Sequence, residues 1–119
     1  MIAPAWVTLI APEGTDLWGA GIYIWEIGGD CYVGKATRLQ SRLREYLNNV
    51  RKLEDGRDYR RSNPNGFRRV HRALDAARRQ QVRAVWRVLE PCAAGHELLI
   101  RERYYIASLR PSLNGRPQG

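Results

Sequence analysis

Cysteine, histidine, acidic residues and long apolar runs are all scarce in this sequence. The two cysteines, Cys31 and Cys92, stand far apart. They form no ligand pair at zinc-site spacing, and two thiols cannot build a disulfide framework. An intracellular chain would keep them reduced, so a cytoplasmic protein without zinc is expected. No apolar run approaches the roughly eighteen residues of a membrane span, so no membrane partner is expected. The first twenty residues hold an apolar patch at Ala5–Ala11, but no basic start precedes it and Glu13 and Asp16 follow soon after. A signal peptide is therefore not expected.

The shortage of acid leaves a strongly basic chain. Twelve Asp and Glu face twenty Lys and Arg, giving a net charge of +8. Eighteen of the twenty cations are arginine. A guanidinium presents a planar fork of donors that matches phosphate, so this surface suits a polyanion, nucleic acid first among them. An arginine-rich but merely soluble surface is the bland alternative. With 119 residues and 44% hydrophobic content, the chain fits one folded domain with one core, residues 1–20 forming an N-terminal extension.

Periodicity divides the rest. Ala5–Ala11 is a short apolar run, either a strand or a packed extended arm. Gly21–Ile27 and Cys31–Gly34 are rich in β-branched and aromatic residues, and the intervening Gly28-Gly29-Asp30 predicts a β-hairpin. Leu39, Leu43, Leu47 and Val50 recur at helical spacing, with Thr37 as N-cap and an end near Leu53. A polar loop follows, containing the breaker Asn63-Pro64-Asn65-Gly66. A second helix is expected over about Phe67–Arg79, with the stripe Phe67, Val70, His71, Leu74, Ala77. Val82, Ala84, Trp86 and Val88 alternate as a third strand before Pro91, and a last helix runs from about Gly95 to Leu109. Strands and helices in this order predict an α/β or α+β domain with a small mixed sheet flanked by helices.

A few polar residues do not fit their faces. Glu102 lies four residues from both Leu98 and Ile106, on the stripe expected to be buried. A carboxylate there is costly unless paired, hydrogen-bonded or bound to a metal. A solvated edge, or a pair with a nearby arginine, would explain it equally. Arg38, Arg42 and Tyr46 follow one another at intervals of four, forming a polar ridge beside the leucine stripe. Tyr23 and Tyr32 fall on neighbouring strands, either as a packing pair or as hydroxyls whose acidity Lys35 and Arg42 could raise. His71 reads mainly as a stripe histidine, with a general base as the lesser reading.

Taken together these residues resemble the GIY-YIG nuclease family. Gly21-Ile22-Tyr23 and Tyr32-Val33-Gly34 stand where the family has its two name motifs, with valine for one isoleucine. Tyr32-Val33-Gly34-Lys35-Ala36, followed by Leu39, Arg42 and Tyr46, is similar to the N-terminal nuclease domain of UvrC-type repair enzymes. Glu102 to Asn114 resembles the family's closing segment. The resemblance covers about Gly21–Asn114. It implies an α+β fold with a small three-stranded antiparallel sheet flanked by three or more helices. It also implies hydrolysis of a DNA phosphodiester with one divalent metal.

By that resemblance Glu102 would ligate Mg²⁺ or Mn²⁺, and Tyr23 or Tyr32 would activate or position the water. Lys35 and Arg42 would stabilise the phosphate, Tyr46 would stand where some relatives have histidine, and Asn114 would support the architecture. Arg38, Arg57, Arg60, Arg61, Arg68, Arg69 and Arg72 are the candidates for DNA contacts. Cutting both strands with one site per chain would call for a dimer or for two successive nicks. A catalytically silent nucleic-acid-binding module and a subunit of a repair complex are the competing readings.

Overall fold

The hairpin organises the sheet. Strand β2 (Gly21–Ile27) turns through Gly28, at φ 60°, into β3 (Asp30–Ala36), with Ile27 opposite Asp30. That backbone angle suits glycine, which has no Cβ to clash. The computed structural model describes residues 3–115 and adds β1 (Val7–Ile10), α1 (Leu39–Glu54), α2 (Arg69–Gln80), β4 (Ala84–Pro91) and α3 (His96–Leu109). Among the described residues no helix is long and apolar enough to cross a membrane.

The fold is α+β, with four strands in the order β1-β4-β2-β3. This corrects the expected three-stranded antiparallel sheet. The antiparallel part exists as β4-β2-β3, and β1 adds a fourth strand parallel to β4, with Val7 opposite Ala84. The reason is the outer edge of β4, whose backbone donors and acceptors need partners. The apolar run at residues 7–10 supplies them.

Strand alternation gives the sheet two working faces. Tyr23, Trp25 and Ile27 of β2 share one face with Ala84, Trp86 and Val88 of β4, and this face packs with Leu39, Leu43, Tyr46 and Val50 of α1 and Val70, Leu74 and Ala77 of α2. Ile22, Ile24 and Val33 form the other face, under Leu98 of α3 with Tyr105 and Ile106 beside it.

Three local readings change. Thr37 does not cap α1. Arg38 occupies the cap position without a side-chain bond, and the first helical N–H groups donate elsewhere: Leu39 to the Gly19 carbonyl at 3.0 Å and Gln40 to Leu17 at 2.8 Å. The passing loop satisfies donors that a threonine hydroxyl would otherwise take. The buried stripe of α1 contains Tyr46 where Leu47 was expected, so Tyr46 leaves the polar ridge and Leu47 is only half-buried. Helix α2 starts at Arg69, after Phe67, and Val82 is 39% exposed ahead of β4. In α3 only Leu98 is fully buried, while Leu109 is 45% exposed. The stripe that was to bury Glu102 is therefore shallow.

The segment after α3 returns along the open edge of β3. The Leu113 N–H donates to the Cys31 carbonyl at 2.8 Å. Asn114 makes two bonds to one residue, its Oδ1 accepting from the Val33 N–H and its Nδ2 donating to the Val33 carbonyl, each at 2.8 Å. The side chain thereby imitates a fifth strand at one position. Asn114→Ala leaves both Val33 groups unpaired at a half-buried edge. It should lower the unfolding free energy by about 1–3 kcal/mol, read as a shifted urea midpoint with an unchanged slope.

Candidate active site

The edge strand β3 carries Tyr32 and Lys35 three positions apart, so alternation sends them to opposite faces. Each anchors a separate polar group.

On the α1 and α2 face, the hydroxyls of Tyr23 and Tyr46 lie 2.7 Å apart in the core. Gly34, opposite Tyr23 in the β2–β3 register, leaves the room. A Cβ there would collide with the Tyr23 hydroxyl and come within 2.5 Å of its ring carbon. Burial, reinforced by the neighbouring Tyr46 and Tyr32, pushes the Tyr23 hydroxyl well above the ordinary tyrosine value, against a smaller opposing pull from the Arg42 charge. Burial likewise raises Tyr46 far beyond it. Both are neutral phenols at physiological pH. They can pass a hydrogen bond along, but they cannot take a proton from water.

Tyr32 differs. It is half-buried, its ring lies edge-on to Tyr46 at 6.3 Å, and its hydroxyl accepts a bond from the Arg68 guanidinium at 3.2 Å. The same guanidinium lies 5.6 Å from the centre of the Tyr32 ring. Arg68, expected only as a DNA-backbone contact, is thus also a wall of this cluster. Arg42 lines a small pocket together with Tyr46 and Arg68, and pairs with Glu45 at 3.2 Å.

On the α3 face, the Lys35 ammonium meets the Glu102 carboxylate at 3.3 Å. The Glu102 side chain is 16% exposed and Lys35 43%. Glu102 is therefore a half-buried carboxylate whose partner is a lysine, where an arginine had been one expectation. Among the described residues, no hydrogen bond or ion pair joins this pair to the tyrosines. Nor does any group of three or more His, Cys, Asp or Glu come together.

The seven arginines expected to meet DNA share two properties. Arg38, Arg57, Arg60, Arg61, Arg68, Arg69 and Arg72 are all exposed, and among the described residues none is ion-paired. Other arginines are committed: Arg78 to Asp75 and Glu54, Arg87 to Glu26, and Arg101 to Glu90. The free ones come from the start of α1, the following loop and the start of α2. Three rest on aromatic rings, Arg68 on Tyr32 as above, Arg60 on Tyr59 at 5.1 Å and Arg72 on Phe67 at 5.9 Å. Such stacking positions the cation while leaving its donors free.

Sequence reasoning passed over Asn49 and Tyr59, which line the same pocket as Arg42 and Arg68. Tyr59 sits in a polar loop where no period marks an inward position, whereas Asn49 lies in α1 three positions after Tyr46 and seven after Arg42, where extending their ridge reaches it. His71, read as a stripe histidine, is 2% exposed, and its Nδ1 accepts the Arg68 backbone N–H at 3.0 Å. Burial, with the charges of Arg68 and Arg72, lowers its pKa from 6.5 to about 4. It is neutral at pH 7.

That shift fixes a pH dependence. The unfolded chain binds a proton at His71 below about pH 6.5, whereas the folded chain resists doing so until about pH 4. Stability should fall as pH drops through this window and level off below it, by on the order of 3 kcal/mol in total. Denaturant unfolding at pH 7 and pH 4.5 checks this, since His71→Gln should show a distinctly smaller difference. An equal pH response in both proteins would refute it. Comparisons of the chain with protein-family models, with curated proteins and with solved structures find no match, so the chemistry of the site is argued from its residues and geometry.

Proposed function

We propose that this chain is a metal-dependent DNA endonuclease of the GIY-YIG type. The observation that carries the reading is the edge strand β3. It presents a cation-bonded hydroxyl, Tyr32, on one face and the Lys35–Glu102 pair on the other. The segment after α3 covers this edge at Cys31 and Val33, and a phosphodiester laid across the uncovered Lys35 end would meet both groups. The belt of unpaired arginines from Arg38 to Arg72 would hold the flanking backbone phosphates.

The roles follow from chemistry. Glu102 is a hard oxygen donor of low exposure, and a Mg²⁺ or Mn²⁺ ion that keeps most of its waters can be held by one such carboxylate. When bound, that ion supplies Lewis-acid stabilisation of charge on the phosphate. Lys35 would turn from Glu102 toward a phosphate oxygen, and Arg42 would place its guanidinium beside the same group. Tyr32, with one lone pair already engaged by Arg68, would orient the attacking water. Tyr23 and Tyr46 hold Tyr32 and α1 in place and do not act as bases. Attack of water on phosphorus with departure of the 3′-oxygen would leave a nick. The second reading is a nucleic-acid-binding module without catalysis. It is favoured by the Lys35–Glu102 pair, which engages the carboxylate internally.

Supercoiled plasmid separates the two. With Mg²⁺ or Mn²⁺ the wild-type chain should convert it to open circles, chelator should stop this, and Glu102→Gln should lower the rate by about a hundredfold or more while DNA binding persists. Equal rates for both proteins would remove Glu102 from the site. Salt-sensitive binding without nicking would favour the binding module.

A further inference from the structure

A small pocket of about 60 Å³ lies beside the tyrosine cluster, between α1, the loop after it and the start of α2. Its inventory is one-sided. Arg42, Arg60 and Arg68 bring three guanidinium groups to its lining, and Glu45 is the only carboxylate there. That carboxylate is bound to Arg42 at 3.2 Å. The Tyr46 hydroxyl is already engaged with Tyr23. Tyr59, His71 and Asn49 complete the lining, and the last two resolve as donors.

His71 spends Nδ1 accepting the Arg68 backbone N–H, so in its neutral form the ring carries its proton on Nε2. The Asn49 amide nitrogen stands 3.3 Å from that Nε2. Two donors cannot bond each other, so the proton requires the amide oxygen in that place, a half-turn of the group. The Asn49 NH₂ is then left without a partner there, facing away from the ring. Three cations and an amide donor around one internally paired carboxylate make a site short of negative charge and acceptors.

Size narrows the occupant. A water needs about 10–15 Å³ of such space, so the pocket holds a handful of waters or one tetrahedral oxyanion, and neither a base nor a sugar ring. The walls are braced: the Tyr59 N–H donates to the Pro64 carbonyl at 2.9 Å, and Lys52 donates to the Tyr59 carbonyl at 3.0 Å. Arg60 and Arg68 are therefore presented by a tied loop and a helix start, which preorganises the donors.

We propose that this pocket is a phosphate-binding subsite, formed by Arg60, Arg68 and Asn49, that grips a DNA backbone phosphate neighbouring the one held at the β3 edge, with Arg42 standing between the two. The choice of DNA rests on the endonuclease reading, whereas the oxyanion chemistry stands without it. Arg68 links the two places, since it lines the pocket and also bonds the Tyr32 hydroxyl. A phosphate seated there would fix where Tyr32 points.

Inorganic phosphate tests the subsite without DNA or metal. Against chloride at equal ionic strength, phosphate should raise the wild-type Tm saturably by roughly 4 °C. Arg60→Gln, a change on an exposed loop residue, should remove most of that rise, and Asn49→Asp, which adds a competing carboxylate, should abolish it. No saturable rise in the wild type, or the same rise in both variants, overturns the subsite. Oligonucleotides identify the source. Strands with a 5′-phosphate and with a 5′-hydroxyl should bind equally, and both variants should weaken each by about tenfold. A preference for the phosphorylated end that the variants lose would overturn the assignment to backbone phosphate. Failed nicking with an intact phosphate shift would refute the nuclease reading alone, and active nicking without the shift would refute the pocket alone.

Discussion

The hydrogen bond between Tyr23 and Tyr46 is the constraint on which the rest of this structure depends. Two phenol groups are buried to within 1% of full enclosure, and each is the other's hydrogen-bonding partner. A buried hydroxyl without a partner is costly, so neither tyrosine could occupy its place alone. The pair dictates the rotation of α1 about its axis. With Tyr46 turned inward, Arg42 one turn earlier and Asn49 nearly one turn later fall beside the same opening. It also dictates the composition of β3, since Gly34 leaves the space that the Tyr23 ring fills. Tyr46 then meets Tyr23, Trp25, Tyr32 and His71 edge-on or tilted, at centroid distances of 5.5 to 6.3 Å. Edge-to-face contacts of this kind prefer particular angles and add to simple area burial. The hydroxyl that reaches outward, on Tyr32, inherits its orientation from this inner packing.

Charge follows a different logic from packing. Arg87 of β4, Arg101 of α3, and Arg78 and Arg79 at the far end of α2 are neutralised locally, the Arg101–Glu90 pair most thoroughly, with Tyr105 also donating to the carboxylate at 2.9 Å. Those at the start of α1, in the loop and at the start of α2 keep their charge. Arg60 from the loop and Arg68 from the start of α2 meet at one pocket with Arg42. Unpaired cations gathered in this way attract a polyanion to that part of the surface.

Much of this was legible in advance, and the misses have identifiable causes. The hairpin, the three helices and β4 are local patterns, and period alone finds them. Glu102 stands out as a carboxylate on an apolar stripe and the two strand tyrosines as neighbours across the hairpin, whereas Asn114 is marked only by the family resemblance. Tyr46 was misplaced because a hydrophobic stripe ranks leucine above tyrosine, and the bond that reverses that ranking comes from a residue 23 positions away. The start of α1 was misjudged because its donors are met by loop carbonyls that no capping rule describes. Strand β1 could be seen as apolar, but its partner could not, since parallel pairing with β4 leaves no local trace. Tyr59 belongs to a polar loop, where neither period nor hydrophobicity separates inside from outside, and Asn49 flanks the α1 stripe at a position where polarity alone reads as solvent-facing.

Strand β1 also sets a limit on how the molecule comes apart. It has four residues, only Val7 among them is fully buried, and most of the chain lies between it and β4. Closing so long a loop for four paired residues leaves β1 less firmly held than the locally closed hairpin β2–β3, and it should detach more readily in local opening. Detachment would bare the outer edge of β4, a run of strand-forming residues with unpaired backbone groups, and such an edge recruits a second chain. The grip of β1 is therefore what keeps the edge of β4 covered against pairing with another chain.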